Sequence, residues 1–290
     1  MQLDHKLLKI ELNGIEFAYS EYGVEYSPVV LFAHGAGQTR HAWKNAAKEL
    51  ALNGFHTVAM DLRGHGDSSW SAEQAYSIRD FAQDLVAAAE HFGSEGGAPH
   101  LVGASLGGLS ALVSAGVLKP GIFASITLVD ITPSMDFGGV DKVLGFMSAN
   151  SADGFESLEE VSQLISMYLP HRERPKDLNG LRKNLRKKAN DRWYWHWDPA
   201  FLNAIDRSAS DERIEEFESA VRLIDVPIHL IRGKMSELVS EASVEHFRIL
   251  APHAHYTNVA GASHMVAGDD NDAFNKAVAD FLMPYQQVSA

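Results

Sequence analysis

One serine between glycines is the residue in this sequence best placed to act as a nucleophile. Ser105 lies in the stretch GASLGG, between the apolar run PHLV and the helix-like run LSALVSAGVL. Glycine is unfavourable inside a helix or a strand, so Gly103 and Gly107 indicate a sharp turn at which two backbones approach closely. The amino terminus of the following helix would favour negative charge on the serine oxygen. We therefore expect Ser105 to attack a substrate carbonyl.

A serine hydroxyl needs a base before it becomes a good nucleophile. The chain has 14 histidines, and His264 has the most suitable position, in VAGASHMV, after the last predicted strand. The carboxyl ends of parallel strands open on one edge of a sheet, so we expect Ser105 and His264 on the same edge. His264 would take the serine proton and return it to the leaving group. The neighbouring Met265 is expected to contact the substrate.

The stretch FAHGAGQ follows another apolar run and could supply hydrogen-bond donors to a developing oxyanion. Gly35 allows the backbone to pass close to the nucleophile, and the amide of Ala36 would act together with the amide of Leu106. One such donor stabilises a transition state by about 3 kcal/mol. We expect His34, in the same stretch, to contribute to substrate binding.

Two carboxylates are candidates for the group that orients His264 and fixes its tautomer. Asp130 ends the apolar run SITLVD, which is the next predicted strand after the nucleophile. Glu237 follows the later run VPIHLIRG, in RGKMSELVS. Both positions would lie on the edge of the sheet that carries Ser105.

The elements that must position these residues alternate between strand and helix. Eight apolar runs read as strands, the first two joined at Asn13-Gly14, which is a hairpin signal. Alternation of this kind predicts a mostly parallel eight-stranded sheet flanked by helices. This sheet and its helices are predicted to occupy residues 1–132 and 217–290. Residues 133–216 contain no convincing strand and are predicted to form a helical cap domain.

The predicted cap contains two unusual stretches. The aromatic stretch DRWYWHWDPAF includes Trp193 and Trp195, which we expect either to line the substrate pocket or to pack the cap. Lysine and arginine are concentrated between Arg172 and Arg192. This basic stretch is predicted to be a solvated helix face, and the alternative is a patch that attracts anionic substrates.

Composition excludes several classes of function. The net charge of −13 disfavours non-specific binding of nucleic acid. The chain contains no cysteine, so disulfides and thiolate metal sites are absent, and no metal-binding or nucleotide-binding motif is present. No apolar run has the length of a membrane span or of a secretion signal. We therefore expect a cytoplasmic protein that needs no cofactor, has no nucleic-acid or membrane partner, and is a monomer or homodimer.

Four motifs occur in order: HGAGQ, DLRGHGDSS, GASLGG and GASHMV. Together they resemble the α/β-hydrolases of the esterase, haloperoxidase-like and epoxide-hydrolase-like branch, and the resemblance covers nearly the whole predicted core. It implies the α/β-hydrolase fold with a helical cap, and a triad of serine, histidine and an acid. Haloalkane dehalogenases and epoxide hydrolases of this fold carry aspartate at the nucleophile position, so Ser105 argues against both activities.

The position of the acid departs from the commonest pattern of this family. In most α/β-hydrolases the acid follows the later strand, often as G-x-x-D, and counting from Gly233 that position holds Ser236. Glu237 is one residue beyond it, which would aim its side chain elsewhere. The stretch LVDITP instead resembles a smaller set of hydrolases in which the acid follows the strand after the nucleophile. We favour Asp130, and Glu237 remains the alternative.

The residues and the resemblance together predict a serine hydrolase that cleaves a small carboxylic ester, or a related amide or lactone, through an acyl-enzyme intermediate. The same triad also serves hydrolases that cleave a carbon–carbon bond in a ring-cleavage product, and ligand receptors of this fold with slow turnover. Both remain alternatives on the sequence alone.

Overall fold

A computed structural model describes residues 6–93, 97–168, 177–204, 211–260 and 272–286. Ten strands lie in these ranges: β1 (Lys6–Leu12), β2 (Ile15–Tyr22), β3 (Val29–Ala33), β4 (His56–Met60), β5 (His100–Ala104), β6 (Ser125–Val129), β7 (Leu185–Lys187), β8 (Trp193–Trp195), β9 (Ile228–Gly233) and β10 (His255–Val259). The α-helices of the same ranges are α1 (Lys44–Leu52), α2 (Ile78–Phe92), α3 (Leu106–Val113), α4 (Phe137–Ser148), α5 (Leu158–Tyr168), α6 (Pro199–Ala204), α7 (Asp211–Leu223), α8 (Glu241–Leu250) and α9 (Asp272–Leu282).

Eight of the strands form one sheet in the order β1-β2-β4-β3-β5-β6-β9-β10. Strand β2 is antiparallel to β1 and β4, and the other pairs are parallel. This confirms the predicted mostly parallel eight-stranded sheet. The predicted hairpin is also confirmed, because Leu12 pairs with Ile15 and the two residues between them have positive φ.

Apolar residues cover both faces of this sheet. Successive strand residues point to opposite faces. Leu101 belongs to the apolar cluster that includes residues of α2, α3, α7 and α8, while Val102 belongs to the one that includes residues of α1 and α9. The central strands β3, β5 and β6 are buried along their whole length. Their carboxyl ends are therefore held in a fixed relation to one another, which is what a site built at that edge requires.

Two glycines allow α3 to start directly after β5 and to pass close to β3. A Cβ atom built on Gly107 would lie 2.3 Å from the carbonyl oxygen of Ala33, which belongs to β3. A Cβ atom on Gly103 would lie 2.7 Å from the carbonyl oxygen of Gly107. Both distances are far inside van der Waals contact with backbone atoms, so no other residue fits at either position.

The segment between β6 and β9 differs from the prediction in two respects. It contains α4, α5 and α6, but also a small antiparallel sheet of β7 and β8 that we did not expect. Strand β8 is built from aromatic rather than β-branched residues, so it lacks the β-branched run that would have indicated a strand. In addition, the expected boundary at residue 216 falls inside α7, which packs against α3.

The described part of the basic stretch is exposed at Arg182, Lys183, Lys187 and Lys188, as predicted, but it is not the face of a regular α-helix. Residues 179–184 form a short 3₁₀-helix that leads into β7. Arg186 donates to the carbonyl oxygen of Gly66 and to the carboxylate of Asp67, and Arg192 donates to the carbonyl oxygen of Gly154. These arginines attach the segment to its neighbours, and residues 172–176 lie outside the described ranges. Within those ranges, no helix is long and apolar enough to cross a membrane.

We predict that Gly107→Ala will destabilise the fold. The added methyl group collides with the backbone of β3, and overpacking of this kind costs about 1–3 kcal/mol. Gly145→Ala is the matched control, because no atom lies within 4 Å of a Cβ built there inside α4. Alanine should stabilise that helix by about 0.5–1 kcal/mol. Urea unfolding of both variants measures the two effects, and equal stabilities would show that the approach of α3 to β3 is not tight.

Candidate active site

Ser105 occupies a strained turn at the end of β5. Its backbone angles are φ 44° and ψ −111°, a left-handed conformation that residues with a side chain rarely adopt. Its carbonyl oxygen accepts the first hydrogen bond of α3, from the amide of Leu109 at 2.9 Å. Its hydroxyl does not cap the helix. The turn therefore presents the serine side chain to the cavity described below instead of using it for the backbone.

The turn that follows β3 lies directly beside this serine. A Cβ atom built on Gly35 would lie 3.3 Å from the Cβ atom of Ser105. The amide of Gly107 donates to the carbonyl oxygen of His34 at 3.2 Å, which joins this turn to α3. Ala36 and Leu106, the two residues expected to bind an oxyanion, both line the cavity that contains Ser105. Neither of their amides has an acceptor among the described residues.

Asp130 lies at the end of the strand next to the nucleophile. Ala104 pairs with Val129 across β5 and β6, so Ser105 and Asp130 hold the next positions of two neighbouring parallel strands. The side chain of Asp130 is fully buried. Its Oδ1 accepts a hydrogen bond from the amide of Gly233 at 3.0 Å, and its Oδ2 accepts one from Oγ of Ser236 at 2.6 Å. Its carboxylate is therefore held at the sheet edge.

Ser236 and Glu237, the two residues of the later acid position, have different environments. Oγ of Ser236 accepts hydrogen bonds from the amides of Leu238 and Val239 at 3.2 and 3.0 Å while it donates to Asp130. The side chain of Glu237 is 55% exposed, and its carboxylate binds Nζ of Lys142 at 2.6 Å on the surface of α4. The structure thus brings Asp130, and not the carboxylate of Glu237, into the buried edge of the sheet. His264 and Met265 lie outside the described residues.

Ser105 lines a cavity of about 660 Å³. Most of the exposed lining is apolar and comes from α3, α4, α6 and α7. The apolar lining residues include Ile78, Leu109, Val113, Met135, Val140, Val143, Leu144, Phe201, Ile214, Phe217 and Leu238. The polar ones, besides the serine, are Tyr76, Ser77, Arg79, Asp141, Arg213 and Glu216. The cavity can therefore hold an apolar group next to the serine.

Trp193 and Trp195, which we expected in the pocket or in packing, are not among the residues that line this cavity. Trp195 is buried, its ring stacks on that of Trp197 at 4.7 Å, and its Nε1 donates to the carbonyl oxygen of Ala149. The guanidinium of Arg182 lies 5.2 Å from the ring centre of Trp193. Both tryptophans therefore pack the segment between β6 and β9.

The expectation that His34 binds the substrate does not fit its surroundings. The ring is fully buried. Its Nδ1 donates to the carbonyl oxygen of Gly35 at 2.8 Å, and its Nε2 accepts from the amide of Leu62 at 2.9 Å. Burial lowers the pKa of His34 to about 4, so the ring is neutral at neutral pH. His34 holds the turn beside Ser105 in place and has no ring nitrogen left for a ligand.

One wall of the cavity is formed by a helix that we did not predict. Helix α4 presents Val140, Val143 and Leu144 to the cavity, at the three- and four-residue spacing of one helix face. That spacing was present in the run FGGVDKVLGFMS and could have indicated the helix. No group of histidine, aspartate and glutamate side chains in the described ranges has the arrangement of a metal site.

Comparison with known proteins places this geometry in a family. The model of the alpha/beta hydrolase family matches residues 30–277. Esterase Rv0045c of Mycobacterium tuberculosis is 28% identical over 261 residues, which cover 88% of this chain and 83% of the relative. The 2-(acetamidomethylene)succinate hydrolase of Mesorhizobium japonicum is 26% identical over 274 residues, which cover 94% of each chain.

A solved structure supports the same assignment at the level of the fold. The crystal structure of E-2-(acetamidomethylene)succinate hydrolase superposes with a TM-score of 0.82 at 24% identity, covering 96% of this chain and 99% of the other. The eight-stranded sheet, the strained serine turn at the end of β5 and the family match over most of the chain agree with one another. The chain belongs to the alpha/beta hydrolase family and is a hydrolase.

Proposed function

We propose that this hydrolase cleaves a small carboxylic ester through an acyl-enzyme intermediate on Ser105. The observation that carries the proposal is the strained serine turn, which opens into an apolar cavity beside two amides without an acceptor among the described residues. The amides of Ala36 and Leu106 are suited to bind the oxygen of a tetrahedral intermediate. The likeness to Esterase Rv0045c supports an ester as the substrate.

The proposed reaction proceeds in two halves. Oγ of Ser105 forms a bond with the ester carbonyl carbon while His264 accepts the hydroxyl proton. The bond from that carbon to the alcohol oxygen then breaks, and His264 gives its proton to the departing alcohol. In the second half water adds to the acyl-enzyme, His264 accepts a proton from it, and the carboxylic acid leaves as Ser105 regains its proton.

We assign the role of the third triad member to Asp130. A carboxylate that orients a histidine must be held rigidly at the sheet edge, and the two hydrogen bonds from Gly233 and Ser236 do this for Asp130. Glu237 would have to give up its ion pair with Lys142 and turn inward from solvent. Ser236, at the position where most relatives of this fold carry the acid, supports Asp130 by donating a hydrogen bond to it.

The cavity indicates what kind of ester fits. Its volume of about 660 Å³ and its largely apolar lining suit an unbranched or branched hydrocarbon group of several carbons. We propose that the segment from residue 133 up to α7, most of the predicted 133–216, forms a cap, since α4 and α6 supply Val140, Leu144 and Phe201 to the lining. Most of the substrate's binding energy would then come from apolar surface buried between this cap and α3.

The nucleophile can be tested directly. A nitrophenyl alkylphosphonate should label Ser105 in the wild-type protein, as located by peptide mass spectrometry. Ser105→Ala should keep the fold and retain less than about a thousandth of the rate on nitrophenyl butyrate, because the residual rate comes only from binding and oxyanion stabilisation. Ser114→Ala, which removes a buried hydroxyl bonded to the carbonyl oxygen of Ala82, is the matched control and should remain active.

Other results of that experiment would point to other functions. A label on a different residue would contradict the assignment of Ser105. A wild-type protein that cleaves vinylogous diketo acids but no ester would be a carbon–carbon bond hydrolase. Labelling of Ser105 without turnover of esters, amides or lactones would favour a ligand receptor, since enzymes of this kind turn over at about 1 per second or faster.

The assignment of the acid predicts a large difference between two amide variants. Asp130→Asn should lower kcat by about 10⁴, because an amide in this position stabilises the wrong histidine tautomer. Glu237→Gln removes only an exposed ion pair, worth at most about 1 kcal/mol in stability, and should leave kcat nearly unchanged. Steady-state kinetics on one ester decides between them, and the opposite ranking would assign the role to Glu237.

The proposed cavity predicts how chain-length preference responds to a change in volume. Val140→Phe places a phenyl ring in the cavity and leaves less room for a long acyl chain. It should lower kcat/KM for nitrophenyl octanoate by about tenfold relative to nitrophenyl acetate. Val117→Phe is the control, because Val117 is 41% exposed and lies outside the cavity lining. A uniform loss on both esters would mean that the acyl chain binds elsewhere.

A further inference from the structure

One histidine from the segment between β6 and β9 reaches the turn beside Ser105. His196 follows β8 directly, and its ring is almost completely buried. Its Nδ1 accepts a hydrogen bond from the amide of Gly66 at 2.7 Å. Its Nε2 lies 3.3 Å from the carbonyl oxygen of Gly37. The ring therefore spans two loops that follow different strands, β3 and β4.

The partners of His196 determine its tautomer. Nδ1 accepts from a backbone amide and so carries no proton, which leaves the proton on Nε2 as the donor to Gly37. Burial and the neighbouring buried rings of His65 and His34 keep the pKa of His196 well below its usual value. The neutral ring thus acts as an acceptor toward one loop and a donor toward the other across the neutral pH range.

The carbonyl oxygen of Gly37 belongs to the turn that contains the amide of Ala36. The amide of Gln38 donates to the carbonyl oxygen of Gly35 at 3.1 Å, and Gly37 has φ 72°, which defines a turn with Ala36 and Gly37 at its centre. The direction of the Ala36 N–H bond depends on the rotation of this turn. The hydrogen bond from His196, which belongs to the segment between β6 and β9, restrains that rotation.

The loop at the other end of His196 is anchored independently. The amide of Asp198 donates to the carbonyl oxygen of Gly64 at 2.8 Å, and Arg186 donates to that of Gly66 at 2.6 Å. The carboxylate of Asp198 accepts a hydrogen bond from Tyr76 at 2.6 Å. These contacts hold the loop around Gly66 even without His196. The hydrogen bond to Gly37 is therefore the one that would be lost if His196 were replaced.

We infer that His196 is a positioning residue that holds the Gly35–Gln38 turn so that the amide of Ala36 faces the oxyanion. This inference rests on the proposed ester hydrolysis. His196 itself does not line the cavity and touches no reacting atom. Its effect on the reaction passes through the carbonyl oxygen of Gly37, so it concerns the stabilisation of the transition state and not the binding of the ester.

Two substitutions separate the two hydrogen bonds of His196. The amide nitrogen of glutamine occupies the place of Nε2, so His196→Gln keeps a donor to Gly37. The amide oxygen of asparagine occupies the place of Nδ1, so His196→Asn keeps an acceptor for Gly66 and loses the reach to Gly37. We expect His196→Asn to lower kcat by about tenfold to a hundredfold, since loss of a whole oxyanion donor costs about 10² to 10³. KM should stay near its wild-type value, and His196→Gln should recover most of the rate.

A thionoester provides the readout that a purely structural role would not change. Sulfur accepts hydrogen bonds more weakly than oxygen, so the wild-type enzyme should favour the oxygen ester over its thiono analogue by a ratio that depends on the oxyanion donors. This ratio should fall in His196→Asn and not in His196→Gln. His100→Asn is the matched control, because His100 is also buried and bonds Ser125 at the opposite end of β5. It should leave the ratio unchanged.

Each outcome has a distinct meaning. Equal kcat in wild type and His196→Asn, or equal loss in the Asn and Gln variants with an unchanged thiono ratio, would overturn the positioning role and leave ester hydrolysis intact. A wild-type protein that turns over neither ester overturns the proposed function and this inference with it. A fall in melting temperature shared by both variants, with kcat retained at 20 °C, would mean that His196 contributes only to stability and would also contradict the inference.

Discussion

The contact between α3 and the end of β3 is the constraint on which the site depends. Gly107 lies so close to the carbonyl oxygen of Ala33 that a single methyl group would separate the two elements. This approach makes the chain turn sharply after β5, and the turn places Ser105 in a conformation that its own side chain disfavours. The same approach brings Gly35 beside Ser105. One backbone contact thus forms both the nucleophile turn and the neighbouring turn with its amide.

The acid of the proposed triad can come from either of two neighbouring strands at the sheet edge. Strands β6 and β9 are neighbours and parallel, so their carboxyl ends lie side by side. The amide of Asp130 donates to Ile231 of β9, and its carboxylate accepts from Gly233 at the end of that strand. A carboxylate from either strand can therefore occupy nearly the same space. Once Asp130 occupies it, a serine at the later position is more useful than a second acid, because two buried carboxylates would repel each other.

Features that are determined locally could be predicted from the sequence. The order of strands and helices around the eight-stranded sheet, the hairpin at Asn13-Gly14 and the turn around Ser105 all follow from periodicity and from glycine, which act over a few residues. The sequence was less informative where a side chain could serve two purposes. Packing was only one of the two roles expected for Trp195, and His34 was expected to bind the substrate. Trp195 and His34 have types common in binding sites, yet both are occupied by contacts with residues distant in the chain, Ala149 and Leu62. Such partners become visible only after the chain has folded.

Two sets of contacts between the segment from β6 to β9 and the rest of the molecule differ in kind. Apolar side chains of α4 and α6 meet the cavity through non-directional contacts, which tolerate exchange of one hydrocarbon side chain for another. The side chains of Arg186 and His196 instead bind backbone atoms of Gly66 through directional hydrogen bonds, which depend on side-chain type and position. The backbone amide of Asp198 adds a hydrogen bond to the carbonyl oxygen of Gly64. The apolar residues of the cavity wall can therefore be exchanged while these hydrogen bonds keep the loop at residues 64–67 in place.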